Sequence, residues 1–321
     1  MMLKNLFKTR NPAKVETSSV TGSLKTLVLH LGAHKTGTSA IQKYMRDNAA
    51  LCARNGIAFL DRSKADGLLR WGKQASINAH ADELRALIQR AEAGGAQHYV
   101  ISHENVPGRP ICDGASRLYP RIRAQAGFLR DALGDWPRKV VFYIRSQPAF
   151  LESYYLQTIH EGRFHTFREW RQAMGKVNFS WQPVYDDLCA VFGPENVMLR
   201  SFDNDIAEGQ AHLLGQFFGA FCDSPAEAFD NFAYPAHRNP SIGSKGLEMA
   251  LLINPLLDSR KERRPVRDFL QEHFSNRDYS RPRLMAPERK VRMAERYASS
   301  DAAILAASAA AYRSNTDGSG K

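Results

Sequence analysis

Leu27-Val28-Leu29-His30-Leu31-Gly32-Ala33-His34-Lys35-Thr36-Gly37-Thr38-Ser39-Ala40-Ile41-Gln42 is a short apolar run that turns through a lysine-, glycine- and threonine-rich loop into a helical pattern. Residues 25–31 have the length and β-branched content of a buried parallel strand, and Ile41, Tyr44 and Met45 begin an apolar stripe of helical period. The loop therefore ends at a helix start, where unpaired amides and the positive end of the helix dipole point at any anion that arrives. This predicts a phosphate cradle.

The position of the lysine narrows the kind of anion. The loop that binds nucleoside triphosphates, G-x-x-x-x-G-K-[ST], places lysine directly after the second glycine, whereas here Lys35 precedes Gly37 by two residues. A second constellation follows downstream. Arg138-Lys139-Val140-Val141-Phe142-Tyr143-Ile144-Arg145 reads as a buried strand ending in arginine, followed by Ser146-Gln147-Pro148 and a helix through Leu151, Ser153, Tyr154 and Tyr155. Helical side chains lean toward the helix start, so Ser153 in the second turn can point into the same space as Arg145. One guanidinium fork and one hydroxyl would then converge on a single phosphate.

Lys35-Thr36-Gly37-Thr38-Ser39 resembles the 5′-phosphosulfate loop of sulfotransferases that use 3′-phosphoadenosine 5′-phosphosulfate (PAPS), and Arg145 with Ser153 resembles that family's 3′-phosphate motif. The resemblance points to the bacterial branch related to carbohydrate sulfotransferases. It implies a three-layer α/β/α, P-loop-like fold and transfer of a sulfuryl group from PAPS to a hydroxyl or amine, with no metal required. Lys35 would neutralise the leaving oxygen. Gly37 would allow close backbone approach, Thr38 and Ser39 would offer amides and hydroxyls, Thr36 mainly its amide, and His34 would flank the donor or face solvent. The general base is sought in Ser102-His103-Glu104. Overlaying the strand end on the family's favours Glu104, with a pKa raised into the working range in a water-poor site. His103, with the more suitable ordinary pKa, is the alternative.

Two family features are missing. No tryptophan follows the loop to stack on adenine, its place falling near Ala40-Ile41-Gln42, and the late R-K-G element has no match. Phe202 is the candidate to line the adenine pocket, or else a core aromatic, and residues 238–245 are the candidate replacement for the late element.

Further strands are expected at residues 98–103 and 196–203. Helices are expected at 38–52, 80–93, 118–133, 148–159, 166–174, 181–192 and 206–221, with more in 244–275 and 284–311. Strands alternating with helices imply crossovers and a mostly parallel sheet with additional C-terminal helices. The candidate segments 32–39, 102–104 and 145–153 all follow strand ends, where such sheets bind ligands. Segments 54–97, 105–137, 161–180 and 225–285 have the lengths of lids that would shape an acceptor groove, and their basic, polar character suggests a carbohydrate or glycolipid.

A chain of 321 residues with 43% hydrophobic content can bury a large core. We read residues 24–312 as a single domain between tails at 1–23 and 313–321, which carry no periodicity. Cys52, Cys112, Cys189 and Cys222 lack C-x-x-C spacing and read as free thiols in a reducing compartment. No segment reads as a signal peptide or membrane span, so a cytoplasmic location is expected. Lys4, Lys8, Arg10 and Lys14 would give the N-terminal segment weak contact with an anionic membrane surface, the alternative being a plain tail. The net charge of +11 suits an anionic donor. No recognition helix or stacking-aromatic motif points to nucleic acid. The runner-up classes are a P-loop kinase or NTPase, disfavoured because the strand ending at Arg145 lacks a magnesium-holding acid, and a non-catalytic anion-binding protein of the same fold.

Overall fold

Alternation along three adjacent strands divides the core between two faces of a sheet. Leu29, Ile101 and Phe142 belong to one apolar cluster, and Val28, Val100 and Val141, one position earlier in each strand, belong to the other. A strand buried on both faces reads as a continuous apolar run, which is why these segments are legible as parallel strands. The computed structural model describes residues 24–222 and 240–316. In it, β1 (Thr26–His30), β2 (Ile57–Phe59), β3 (His98–Ser102), β4 (Arg138–Ile144) and β5 (Val197–Ser201) form one sheet in the order β2-β3-β1-β4-β5. Every pairing is parallel. The fold is the α/β three-layer arrangement expected from the sequence.

The helices are α1 (Thr38–Asp47), α2 (Ala49–Arg54), α3 (Arg62–Leu68), α4 (Gln74–Ala79), α5 (Ala81–Ala93), α6 (Ile122–Leu133) and α7 (Gln147–His160). They continue with α8 (Phe167–Ala173), α9 (Gln182–Phe192), α10 (Phe202–Ala207), α11 (Gln210–Phe218), α12 (Ser244–Ile253), α13 (Arg260–His273) and α14 (Pro287–Thr316). Ile41 and Tyr44 of α1 and Leu213 and Phe217 of α11 cover one face of the sheet, while Leu84 of α5, Leu129 of α6 and Leu188 of α9 cover the other. A third cluster joins Tyr155 and Ile159 of α7 to Leu247 of α12 and Leu270 of α13. The outer edge of β5 is closed by α14. Ser308 Oγ accepts from the Leu199 amide at 2.7 Å and donates to the Val197 carbonyl at 2.8 Å, satisfying a strand edge that would otherwise be open.

The structure departs from the sequence expectations at several points. The helix expected over 38–52 breaks at Asn48 into α1 and α2, and residues 202–203, expected in a strand, open α10. Residues 57–59, inside a segment read as a lid, form the edge strand β2 and pair with β3. The helix expected from 118 begins at Ile122, because Tyr119 adopts φ 45° and interrupts it. The pattern at 206–221 is split into α10 and α11 at Gly209, whose φ of 103° no helix accommodates. The last helix runs to Thr316, beyond the expected boundary at 312. Among the described residues, no helix is long and apolar enough to cross a membrane.

Candidate functional site

Because the strands are parallel, their carboxyl ends share one edge of the sheet. The neighbours β3, β1 and β4 deliver residues 103–104, 31–37 and 145–146 there side by side. Connections run from β1 toward β2 and β3 on one side and β4 and β5 on the other, so the loop after β1 lies where the winding reverses.

The loop takes its shape from two left-handed residues, Lys35 at φ 67° and Gly37 at φ 81°. For lysine that conformation costs about 1–2 kcal/mol, and neighbouring groups hold it. The Thr36 hydroxyl donates to the Ala33 carbonyl at 2.6 Å, and Arg145 Nη1 donates to the Lys35 carbonyl at 3.1 Å. A Cβ on Gly37 would lie 2.9 Å from Phe202 Cε2, so Phe202 packs directly on the loop glycine while the Arg145 guanidinium lies 5.4 Å from its ring centroid. The Lys35 ammonium is 3.5 Å from Gln157 Oε1. Burial lowers its pKa, Arg145 lowers it further, and Glu104 and Glu161 oppose the shift.

His34 does not face solvent, being 8% exposed. Its amide donates to the Tyr119 hydroxyl at 2.8 Å, Nδ1 lies 2.9 Å from the same oxygen, and Nε2 lies 3.1 Å from Asn105 Oδ1. A carbonyl oxygen needs a donor, so the ring carries its proton on Nε2 and Nδ1 accepts from Tyr119. Burial pulls its pKa down to about 4, which leaves a neutral strut that braces the loop.

After β3, His103 and Glu104 take different roles. His103 is buried. Its Nδ1 accepts from the Asn105 amide at 3.2 Å and its Nε2 meets Asp66 Oδ1 at 2.9 Å, so neither nitrogen is free to take a proton. Glu104 Oε2 accepts from Arg62 Nη1 at 2.7 Å. Burial pushes the Glu104 pKa up, but Arg62 and the backbone outweigh it and the net direction is down. The expectation of a raised carboxyl pKa is thus corrected: Glu104 is an ionised carboxylate fixed by a guanidinium.

On β4's side, Arg145 Nε donates to Asp203 Oδ1 at 3.3 Å, the Ser146 amide donates to Asp203 Oδ2 at 2.8 Å, and Trp181 Nε1 donates to the Arg145 carbonyl at 2.8 Å. Burial lowers the Arg145 pKa, Asp203 opposes this, and Arg281 acts in the same direction as burial. Ser153 lies half-buried in the second turn of α7, and its hydroxyl makes no hydrogen bond among the described residues. No hydrogen bond joins its hydroxyl to Arg145. Thr38 is buried at the start of α1 and Ser39 is exposed there. Of the candidate late element at 238–245, residues 238–239 lie outside the described residues, and residues 240–243 lead into α12.

Sequence reasoning missed four members of this assembly: Arg62, Tyr119, Asp203 as the partner of Arg145, and Arg281. Arg62 and Arg281 lie in stretches with no motif. Asp203 ends the strand expected at 196–203, and only the pairing of β4 with β5 reveals its partner.

No family model matches the chain, and no curated protein matches it. Among solved structures, a sulfotransferase from Alicyclobacillus acidocaldarius is similar with a TM-score of 0.40 and 14% identity, over 74% of this chain and 98% of that one.

Proposed function

We propose that the chain is a sulfotransferase that moves the sulfuryl group of PAPS to a hydroxyl or amine of a carbohydrate or glycolipid and releases adenosine 3′,5′-bisphosphate. The observation that carries this reading is the hydrogen-bonded pair Lys35–Arg145 beside a helix start, with the Glu104 carboxylate close enough to act on the Lys35 charge. Two cations and a row of amides suit an anionic donor with more than one phosphoryl or sulfuryl group. A fixed carboxylate suits a neutral acceptor that must lose a proton.

In this reading the acceptor oxygen attacks sulfur in line, forming one S–O bond as the bond from sulfur to the bridging phosphate oxygen breaks. Charge grows on that bridging oxygen, where Lys35 stabilises it. Glu104 accepts a hydrogen bond from the acceptor hydroxyl and takes its proton as the new bond forms, while Arg62 fixes the carboxylate's direction. Arg145 and Arg281 hold the nucleotide's other phosphate, Ser153 adds a hydroxyl, and Phe202 offers an apolar surface to the base. The free thiols Cys52, Cys112, Cys189 and Cys222 fit a cytoplasmic setting.

The test is incubation with sulfur-35-labelled PAPS and separate sets of oligosaccharides, glycolipids and phenols, with Lys35→Ala beside the wild type. Label in a sugar-containing product, lost in the variant, supports the reading. Label in phenols alone overturns the acceptor class, and magnesium-dependent turnover of ATP with no transfer of label overturns the reaction.

A further inference from the structure

Among the described residues, three that are not glycine have a positive φ: Lys35 at 67°, Trp71 at 59° and Tyr119 at 45°. All three meet at His34. Lys35 follows it in the chain, the Tyr119 hydroxyl binds its amide and Nδ1, and the Trp71 indole lies nearly parallel to its ring, at 17° with centroids 6.0 Å apart. Bulky residues rarely adopt this conformation, and those held in it cluster at active sites and ligand clamps. Lys35 carries charge for the candidate site and Tyr119 is a buried brace. Trp71 is neither: it is 38% exposed.

The backbone at Trp71 is pinned from the protein side. Gln125 Nε2 donates to the Trp71 carbonyl at 2.9 Å. The next residue, Gly72, is also left-handed at φ 62° and runs so close to the turn after β3 that a Cβ on it would lie 2.1 Å from the Val106 carbonyl oxygen. Glycine at 71 would take the same backbone without strain, so the backbone does not account for a tryptophan there. Val106 lies two residues beyond Glu104, and Glu104 is close enough to His34 to raise its pKa against burial. Trp71 therefore stands on the β3 side of the loop, beside the carboxylate, whereas Phe202 and Arg145 stand on the β4–β5 side.

We propose that Trp71 is the platform on which a pyranose ring of the acceptor stacks, a subsite whose connection to the reaction rests on the proposed function. A pyranose has a face of C–H bonds and a rim of hydroxyls. The C–H face matches the indole face turned away from His34, because tryptophan offers a large rigid apolar surface with one polar tip. The hydroxyls match the polar rim: Arg70 and Lys73 are exposed on either side of Trp71–Gly72 in the chain. A phenol would need apolar walls on both of its faces, and one face of Trp71 is already taken by His34. A sugar held there sits next to Glu104, the group that would take its proton.

Saturation-transfer spectra with the methyl glycosides of glucose, galactose, N-acetylglucosamine and glucuronic acid test this without any donor. The expected result is transfer to the C–H protons of one ring face of at least one sugar, with nuclear Overhauser contacts to the Trp71 indole. Trp71→Gly should bind that sugar about tenfold more weakly, the scale of one aromatic stack, while Trp71→Phe keeps most of the affinity and adenosine 3′,5′-bisphosphate binds Trp71→Gly within about twofold of wild type. Absence of contact between every sugar and the indole in the wild type would overturn the proposal, whether or not the variants fold. Loss of bisphosphate affinity in folded Trp71→Gly with sugar binding unchanged would assign the indole to adenine and overturn it too. Sugar contacts at Trp71 in a wild type that binds no bisphosphate would uphold the platform and defeat the sulfotransferase reading, so the two fail separately.

Discussion

Arg145 Nη1 donates to the carbonyl oxygen of Lys35 at 3.1 Å, so the two cations of the candidate site are joined through the backbone rather than merely placed near one another. The same guanidinium reaches Asp203 through Nε. It therefore ties the left-handed turn at Lys35 to Asp203 at the start of α10. A lysine at this position keeps the charge but has no planar fork to make both contacts. Arg145→Lys should weaken pyrophosphate binding about tenfold, which titration calorimetry would read directly. Full retention of affinity would show that charge alone matters there.

Gly37 is needed for its backbone angle and for its lack of a side chain. An alanine would be strained at φ 81° and would meet Phe202 at 2.9 Å, for a combined cost of about 1–3 kcal/mol. Gly37→Ala should lower the denaturation midpoint and abolish anion binding. Adding Phe202→Leu should recover part of the stability, because it removes the contact and leaves the strain. Recovery of none of the loss would place the whole cost in the backbone.

The pH profile separates the two candidate bases. Glu104 titrates below the ordinary glutamate range because Arg62 and the backbone outweigh burial. Its ion pair therefore contributes stability above that range and loses it as pH falls through the lowered value. If Glu104 is the base, sulfuryl transfer should be level between about pH 6 and 8, since the carboxylate is already ionised. Glu104→Gln should abolish transfer while leaving bisphosphate binding within about twofold, as expected for a group on the acceptor side. A rate that instead falls as pH is lowered through a midpoint above the glutamate range but below the usual histidine value of about 6.5, the side to which burial and Arg62 move His103, would assign the base to His103.

Asp301 gives a stability prediction of opposite sign. Its half-buried carboxyl accepts from Gln147 Nε2 at 2.8 Å, while Asp301 Oδ1 and Gln147 Oε1 are unpartnered among the described residues. Burial raises its pKa to about 6, with Gln147 opposing. The protonated form therefore favours the fold: its contribution is complete below the ordinary carboxyl value and is lost as pH rises through about 6. Asn at this position can serve both orphan atoms of the pair without a charge. Asp301→Asn should raise stability near pH 7.5 by on the order of 1 kcal/mol after solvent screening, with the gain vanishing toward pH 4. Equal melting temperatures for the two proteins across that range would refute it.

The parallel sheet was legible because its strands are buried on both faces, leaving unbroken apolar runs at 27–29, 99–101 and 140–144. The loop was legible because lysine, glycine and threonine sit between a strand and a helix. β2 was missed because three residues on the sheet edge, only partly buried, give too short a signal. The split at Gly209 was missed because the apolar stripe continues across it. At the site, the residues proposed to touch an anion are written as local motifs, whereas those that orient them are not. Arg62 reaches Glu104 across 42 residues and Tyr119 reaches His34 across 85. Such pairings exist only once the chain has folded, and they changed the chemistry expected of His34, His103 and Glu104.

The most direct test of the donor site is calorimetric titration with adenosine 3′,5′-bisphosphate in the absence of magnesium, with ATP as the control ligand and Arg145→Ala beside the wild type. The account predicts magnesium-free binding of the bisphosphate that is at least about a hundredfold weaker in the variant, the loss of a bidentate, charge-assisted contact. Absence of binding to the wild type, or a preference for ATP with magnesium, would contradict the sulfotransferase assignment.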